Sequence, residues 1–176
     1  MNYIFLTHGF EEIEAVETID ILRRAEVGLT TVSVEETLYV KGAHDIEVKA
    51  DILLTDSDFS DAEMLILPGG TLRLGEFQKL NDLLVAHNAK GGLIAAICAA
   101  PSILGELGIL EGKTATCYPN FEKYLTGAQV VDKRVVKSEN IITGKGPGCT
   151  KQFALELVLT LCGQDKTNEV AEAMIA

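Results

Sequence analysis

Short, continuous apolar runs alternate with amphipathic stretches along nearly the whole chain. A short apolar run bounded by turn residues is typical of a buried strand, and apolar residues three or four positions apart are typical of a helix. The first pattern predicts strands over Tyr3–Leu6, Leu29–Val34, Met64–Pro68 and Leu93–Ile97. The second predicts helices over Glu11–Arg24, Phe77–Lys90, 101–107, 151–162 and 168–176.

The remaining segments predict shorter elements. Residues 38–51 form a polar, hairpin-like segment, and brief strand candidates lie at 114–118, 128–131, 134–139 and 140–143. No internal repeat, low-complexity tract or Pro/Ser-rich linker interrupts the chain, so residues 1–176 are expected to form one domain. Alternating strands and helices predict an α/β fold in which a mostly parallel sheet carries helices on both faces.

Several chemically capable residues follow directly after predicted strands. His8 and Gly9 come after the first strand, Gly69 and Gly70 follow Met64–Pro68, and Cys98 follows Leu93–Ile97. The glycine-rich segment 144–148 follows the strand candidate at 140–143. Because ligand sites of open parallel sheets form at the carboxyl ends of the strands, these residues are expected to share one rim.

Cys98 stands where an apolar strand stops and a helix begins, flanked only by small residues. One interpretation is a buried structural cysteine, which is common in proteins. The other is a nucleophile or redox centre presented at a strand-to-helix turn, where the helix dipole and free N–H groups favour a thiolate. The second interpretation makes Cys98 the most acidic of the four thiols.

Glu14 and the Gly69–Gly70 pair also have two interpretations each. Glu14 lies in the acidic cluster 11–17 and reads either as a solvated carboxylate or as a group in the first helical turn on the same rim as Cys98. The two glycines form either an ordinary tight turn or a nest of N–H groups that binds an anion. The glycines at 144–148 do not match a phosphate-binding loop.

The three histidines lie in different segments and have no metal-ligand spacing, so no metal site is expected. His87, near the end of a predicted helix, is expected at the surface. His8 is the only histidine that the strand order places near Cys98.

Charge and cysteine usage limit the classes of partner. The chain has 26 acidic and 15 basic side chains and a net charge of −11, which disfavours nucleic acids and anionic membranes. The N-terminal segment lacks the pattern of a signal peptide, and no apolar run is long enough to span a membrane. The four cysteines, at 98, 117, 149 and 162, show no C-x-x-C spacing, so a reduced, cytoplasmic setting without disulfides is expected.

Four motifs in fixed order carry a family resemblance: "THGFEEIEAVETIDILRRA", "LILPGG", "KGGLIAAICAAPSIL" and "ITGKGPGCTKQFALELV". They resemble the ThiJ/PfpI superfamily, and within it the Parkinson-associated protein deglycase branch, over essentially the whole chain. The resemblance implies a flavodoxin-like three-layer α/β sandwich, a homodimer and no cofactor.

The resemblance also assigns the site. It places the reactive cysteine at Cys98, the partner carboxyl at Glu14, and the oxyanion donors at the backbone N–H groups of Gly70 and Ala99. Further residues are expected to line the site: His8, Gly69, Tyr118 and His44. Tyr118 stands where the branch usually has a histidine, and His44 stands where an arginine often approaches from the partner subunit.

The activity implied by the resemblance is that of a glyoxalase III or protein deglycase acting on methylglyoxal-type dicarbonyls or glycated groups. The alternative is a non-catalytic oxidative-stress sensor whose cysteine becomes a sulfinic acid. An older label of the family, thiazole monophosphate biosynthesis, says little about chemistry. Protease activity is disfavoured because Ala99, not histidine, follows Cys98, and amidotransferase activity because the triad histidine near the C-terminus is absent.

Overall fold

A seven-stranded sheet forms the centre of the computed structural model, which describes residues 1–176. Its strand order is β10-β11-β7-β6-β1-β2-β5, and every neighbouring pair is parallel except β10–β11. The strands are β1 Asn2–Leu6, β2 Leu29–Ser33, β5 Ile52–Leu53, β6 Met64–Leu67, β7 Leu93–Ile97, β10 Val135–Ser138 and β11 Ile141–Gly144. The predicted mostly parallel sheet is confirmed.

Five α-helices cover the two faces of the sheet. They are α1 Thr18–Arg24, α2 Gln78–Ala89, α3 Pro101–Glu106, α4 Thr150–Cys162 and α5 Gln164–Ala173. Alternate residues of one strand face opposite sides, so Phe5 packs in one apolar layer with α2 and α3, while Ile4 packs in the other with α1, α4 and α5. The expected three-layer sandwich is therefore present. None of the helices combines the length and apolar character needed to cross a bilayer. That one domain comprises residues 1–176 stays a prediction.

Two small sheets lie outside the central one. The segment expected to resemble a hairpin forms antiparallel β3 (Tyr39–Lys41) and β4 (Glu47–Lys49). The candidates at 114–118 and 128–131 shorten to β8 (Thr114–Ala115) and β9 (Gln129–Val130), which pair only with each other in parallel. Residues 116–118 thus leave the strand and are free to cross the rim above β7.

The first helix departs from the regular spacing that the sequence predicts. A π-helical turn, Ile13–Glu17, precedes α1. A π-turn holds one more residue per turn than an α-helix, so it rotates side chains relative to the expected apolar row, and such turns often occur at functional sites. Glu14 lies within this turn and is fully buried.

His87 is buried, at 8% exposure, so its prediction as a surface residue is wrong. Its Nε2 lies 3.2 Å from the Leu93 carbonyl oxygen and 3.3 Å from that of Glu63, and the ring packs against Gly92, where a Cβ would come within 2.3 Å of it. These acceptors require an N–H on Nε2. Burial lowers the pKa of His87, since it disfavours the charged ring.

This environment makes the stability of the fold sensitive to acid. A lowered pKa means that the native state binds fewer protons than the unfolded chain, so the free energy of unfolding falls as pH drops below the ordinary histidine value of about 6.5. Urea unfolding should show that the free energy of unfolding decreases less between pH 7.5 and pH 5 for His87→Gln than for wild type. This account would be contradicted if the free energy of unfolding depended equally on pH in both proteins, or if NMR gave His87 a pKa above the ordinary histidine value.

Candidate active site

Cys98 occupies a strained turn between β7 and α3. Its φ is +66°, in the left-handed region that non-glycine residues enter at a cost of about 1–2 kcal/mol. Backbone hydrogen bonds hold it there: its N–H donates to the Gly144 carbonyl (2.9 Å), and its carbonyl accepts from Tyr118 N–H (2.8 Å). The conformation presents the sulfur at the carboxyl end of β7, as a nucleophile elbow does.

The Glu14 carboxyl lies beside this sulfur, without access to solvent. The carboxyl acts on the proton of the Cys98 thiol, and Gly69 N–H donates to Glu14 Oε2 at 2.7 Å. Glu14 Oε1 has no hydrogen-bond partner. The structure thus brings together the two residues singled out as a reacting pair, and the interpretation of Glu14 as a solvated carboxylate is wrong.

Gly69 and Gly70 permit the close approach of three chain segments. A Cβ on Gly69 would lie 2.7 Å from Cys98 Cβ and 2.8 Å from Glu14 Oε2. A Cβ on Gly70, whose φ is +89°, would lie 2.4 Å from the Glu11 backbone nitrogen. All three distances are too short for a side chain, so the contact between the thiol and the carboxyl requires Gly69, and the approach of the Gly9–Glu11 backbone requires Gly70.

The thiol and the carboxyl influence each other's proton. Burial raises the pKa of Glu14 to about 7. Burial and a negative charge on Glu14 both raise the pKa of Cys98, whereas backbone N–H groups of Ala99 and Gly70 hydrogen-bond the sulfur and lower it. A thiolate at Cys98 is therefore favoured only while Glu14 holds a proton.

The helix-based reason for an acidic Cys98 is weaker than the sequence suggested. α3 has six residues and begins with Pro101, which has no N–H to offer. The N–H groups that act on the sulfur come from Ala99 and Gly70, the two residues expected as oxyanion donors. Burial also raises the pKa of Cys117, to about 11, and the pKa of Cys98 is raised further by burial and the Glu14 charge, so the prediction that Cys98 is the most acidic of the four thiols is wrong while Glu14 is ionised.

The remaining site residues lie around this pair with different orientations. Tyr118 is 44% exposed, its ring packs against Gly146, and its backbone N–H bonds to Cys98. His8 is directed toward β3, where its Nδ1 accepts the Lys41 N–H at 3.1 Å. His8 thus lies on the rim, but its ring hydrogen-bonds to Lys41 and not to Cys98.

His44 pairs with Glu12 of its own chain. Its ring Nδ1 lies 2.8 Å from Glu12 Oε2, and its backbone N–H donates to Glu12 Oε1 at 2.6 Å. The contact with Glu12 raises the pKa of the His44 ring. Donor atoms of Glu11, Glu12 and His44 lie within 4.8 Å of one another. Glu11 also accepts the Glu14 N–H at 2.7 Å. These hydrogen bonds account for both carboxylates without an ion.

A second, partly buried cluster lies on the rim, and the sequence does not predict it. Glu35, after β2, accepts both the Thr7 hydroxyl and the His8 N–H, and Arg73 donates to both of its oxygens at 3.1 and 3.2 Å. These contacts lower the pKa of Glu35. They fix the chain leaving β1 and the segment after Gly70, but no periodicity links the residues in sequence.

A family model describing the DJ-1/PfpI family matches residues 2–160. The chain belongs to this family. It is 37% identical to protein dj-1beta of Drosophila melanogaster over 98% of this chain and 95% of that protein. The crystal structure of that Drosophila protein superposes with a TM-score of 0.95, covering 100% of this chain and 99% of the other at 36% identity.

Two further relatives extend the comparison. Glutathione-independent glyoxalase DJR-1.2 of Caenorhabditis elegans is 36% identical over 93% of this chain and 89% of its own length. Protein DJ-1 homolog B of Arabidopsis thaliana is 42% identical over 97% of this chain, which spans 40% of that longer protein. The predicted superfamily and the flavodoxin-like fold are confirmed by these matches.

The crowded glycine at the site gives a direct test of its geometry. Gly69→Ala should destabilise the protein by about 1–3 kcal/mol, because its Cβ overlaps Cys98 and Glu14. It should also slow alkylation of Cys98, since the thiol and carboxyl are forced apart. Gly75→Ala is the matched control, because its Cβ would meet nothing closer than 3.4 Å. Equal denaturation midpoints and alkylation rates for the two variants would refute the packing argument.

Proposed function

We propose that this protein is a cofactor-independent glyoxalase or deglycase-type enzyme that acts on methylglyoxal-type dicarbonyls or glycated groups. The observation that carries the proposal is the buried contact between the Glu14 carboxyl and the Cys98 thiol, with the N–H groups of Gly70 and Ala99 at the sulfur. The glyoxalase named among the relatives supports the same class of reaction.

The first step uses the one proton that the pair shares. The Cys98 thiolate adds to the aldehyde carbon, and the carbonyl π electrons move to oxygen. Gly70 and Ala99 N–H groups stabilise the developing oxyanion, and protonated Glu14 then delivers its proton to give a hemithioacetal. Addition of sulfur and neutralisation of oxygen thus occur without an external acid.

The second step isomerises the hemithioacetal, and hydrolysis then restores the starting protonation states of Cys98 and Glu14. The Glu14 carboxylate removes the proton from the former aldehyde carbon, and the electron pair moves to the neighbouring carbonyl oxygen to give an enediolate. Glu14 returns that proton to the neighbouring carbon, and the hydroxyl proton passes from the first oxygen to the second, which gives the thioester. Water hydrolyses this thioester to a 2-hydroxy acid, lactate in the case of methylglyoxal, and frees Cys98. One carbon is oxidised and its neighbour reduced, so the net reaction consumes only water.

Glu14 must serve as both acid and base in this scheme. It is the one charged group that acts on the Cys98 thiol. Tyr118 replaces the histidine of the family pattern, and a phenol, with an ordinary pKa near ~10, is a poor base at neutral pH. A carboxyl with its pKa raised to about 7 is suited to both roles.

The non-catalytic sensor is not favoured, because Glu14 supplies the acid and base and Gly70 and Ala99 supply the oxyanion donors of a complete reaction. Lactate release separates the two functions: turnover supports the enzyme, and a stoichiometric adduct without release supports the sensor. A cytoplasmic location, where thiols stay reduced, is part of the enzyme proposal because Cys98 must be free.

A homodimer is also part of the proposal. Apolar side chains are exposed on the first helical turn and the β3–β4 hairpin: Ile13, Val16, Tyr39 and Ile46. His44 lies on the loop of the same hairpin. A second copy covering this patch would bury the exposed apolar groups and place His44 near a neighbouring site.

Substitution of Glu14 separates proton transfer from thiolate stabilisation. Glu14→Gln keeps a hydrogen-bond donor beside Cys98 but cannot shuttle a proton, so lactate formation from methylglyoxal should fall by about a hundredfold or more, while Cys98 alkylation should fall much less. Glu14→Asp keeps the acid but shortens its reach, and turnover should fall on the order of a hundredfold.

Cys98→Ser is the control that should abolish turnover in the same assay. Circular dichroism and thermal unfolding should show that all three variants fold. Full dicarbonyl turnover by Glu14→Gln would eliminate the proposed role of Glu14, and full turnover by Cys98→Ser would eliminate the nucleophile.

The dimer is tested by charge placed on the apolar patch. Val16 and Val85 are both 45% exposed, but Val85 lies on α2, away from the patch. Light scattering should give a mass of two chains for wild type and Val85→Glu, and a lower mass for Val16→Glu, because a buried carboxylate opposes association. A wild-type mass of one chain at all concentrations would remove both the dimer and the shared role of His44.

A further inference from the structure

Residues 132–151 form a basic segment within an acidic chain. Five basic side chains occur there against two acidic ones: Lys133, Arg134, Lys137, Lys145 and Lys151 against Asp132 and Glu139. The protein as a whole carries a charge of −11. Such a local excess of positive charge attracts anions to a surface that otherwise repels them.

This segment lines a cavity of about 540 Å³, a size typical of small-molecule sites. Its wall consists of Tyr118, Pro119, Asp132, Arg134, Lys145 and residues 146–149. Tyr118 connects the cavity to the site, because its backbone N–H donates to the Cys98 carbonyl and its ring lies against Gly146.

The sheet register fixes how far the basic groups lie from the sulfur. Gly144 pairs with Ile97 and with Val135, so Cys98, Lys145 and Arg134 occupy neighbouring positions at one edge. Lys145 N–H donates to the Arg134 carbonyl at 2.9 Å, which extends this alignment past the strand ends. Two strand spacings of about 4.8 Å separate the Cys98 and Arg134 backbones by roughly 10 Å.

Arg134 is the uncompensated charge in this cavity. Lys145 forms an ion pair with Asp132 across the wall. Arg134 forms no ion pair, and its NH1 contacts only the neutral amide oxygen of Gln152, at 3.4 Å. A guanidinium presents a planar fork of donors that matches a carboxylate or phosphate, so Arg134 is available to bind an anionic group in the cavity.

We infer that this cavity is a substrate subsite for an anionic group, with Arg134 as its recognition residue. This inference rests on the proposed function and specifies its substrate class: α-oxoaldehydes that carry a carboxylate or phosphate remote from the aldehyde. The aldehyde carbon meets Cys98, while the anion lies beyond Tyr118 against Arg134.

The test compares phenylglyoxal with 4-carboxyphenylglyoxal on wild type and Arg134→Gln. Wild type should show a higher kcat/KM for the carboxylate, and Arg134→Gln should lower that preference roughly tenfold through KM, with phenylglyoxal turnover unchanged. Lys137→Gln is the matched control: it makes the same change in net charge, lies on β10 three residues after Arg134 and outside the cavity, and should keep the wild-type preference.

Hydroxypyruvaldehyde phosphate, compared with hydroxypyruvaldehyde, distinguishes phosphate from carboxylate as the preferred anion. Loss of preference for either charged probe in Arg134→Gln, but not in Lys137→Gln, supports the subsite. Equal preference in wild type and Arg134→Gln for both charged probes overturns it, as does an equal loss in both variants.

An alkylation assay keeps the subsite separate from catalysis. Phenacyl bromide and its 4-carboxylate alkylate Cys98 without enzymatic turnover, since the thiolate displaces bromide from either reagent. The ratio of the two alkylation rates should drop in Arg134→Gln alone. If wild type turns over no glyoxal, the proposed function fails, but this ratio still decides the subsite. A ratio that is identical in wild type and Arg134→Gln refutes the anion site even if turnover is observed.

Discussion

The buried contact between the Glu14 carboxyl and the Cys98 thiol imposes the constraint on which the rest of the site depends. Two acidic groups buried together do not both ionise readily, because a charge on Glu14 raises the pKa of Cys98. The chain must therefore bring a π-turn, a strand end and a glycine turn into contact without water. Gly69, whose N–H bonds to Glu14 and whose missing side chain admits Cys98, makes that contact possible.

The sheet supplies the stability that such an arrangement requires. Cys98 adopts a left-handed conformation and Glu14 leaves one oxygen without a partner, and both features are unfavourable in isolation. The site persists because β7 lies in the middle of a parallel sheet with both faces covered, where strands β6 and β11 hold its end in register. Strain at the rim is thus compensated by the apolar layers beneath it.

Hydrophobic patterning predicts the sheet well. The residues of the site are predicted only through the family resemblance that the four ordered motifs carry. Met64–Leu67 and Leu93–Ile97 are recognisable because strands buried on both faces are continuous apolar runs. Burial of Glu14 is not recognisable, since it lies among other acids and the π-turn breaks the helical spacing. The burial of His87 is missed for a related reason: its acceptors are the carbonyls of Glu63, just before β6, and of Leu93, at the start of β7, which helix periodicity does not reveal.

The reacting pair is buried and the side chains of the rim are exposed, and this difference determines where substrate selectivity can arise. Glu14 and Cys98 have almost no exposed surface, so they contact only the few atoms that react. Any dicarbonyl that reaches the sulfur presents much the same atoms to this pair, which therefore cannot discriminate among substrates. Tyr118 and Arg134 are exposed and contact whatever extends beyond the reacting carbons. Under the proposed function, substitution of a rim side chain such as Arg134 therefore changes which molecules are accepted, while the proton exchange of the pair stays the same.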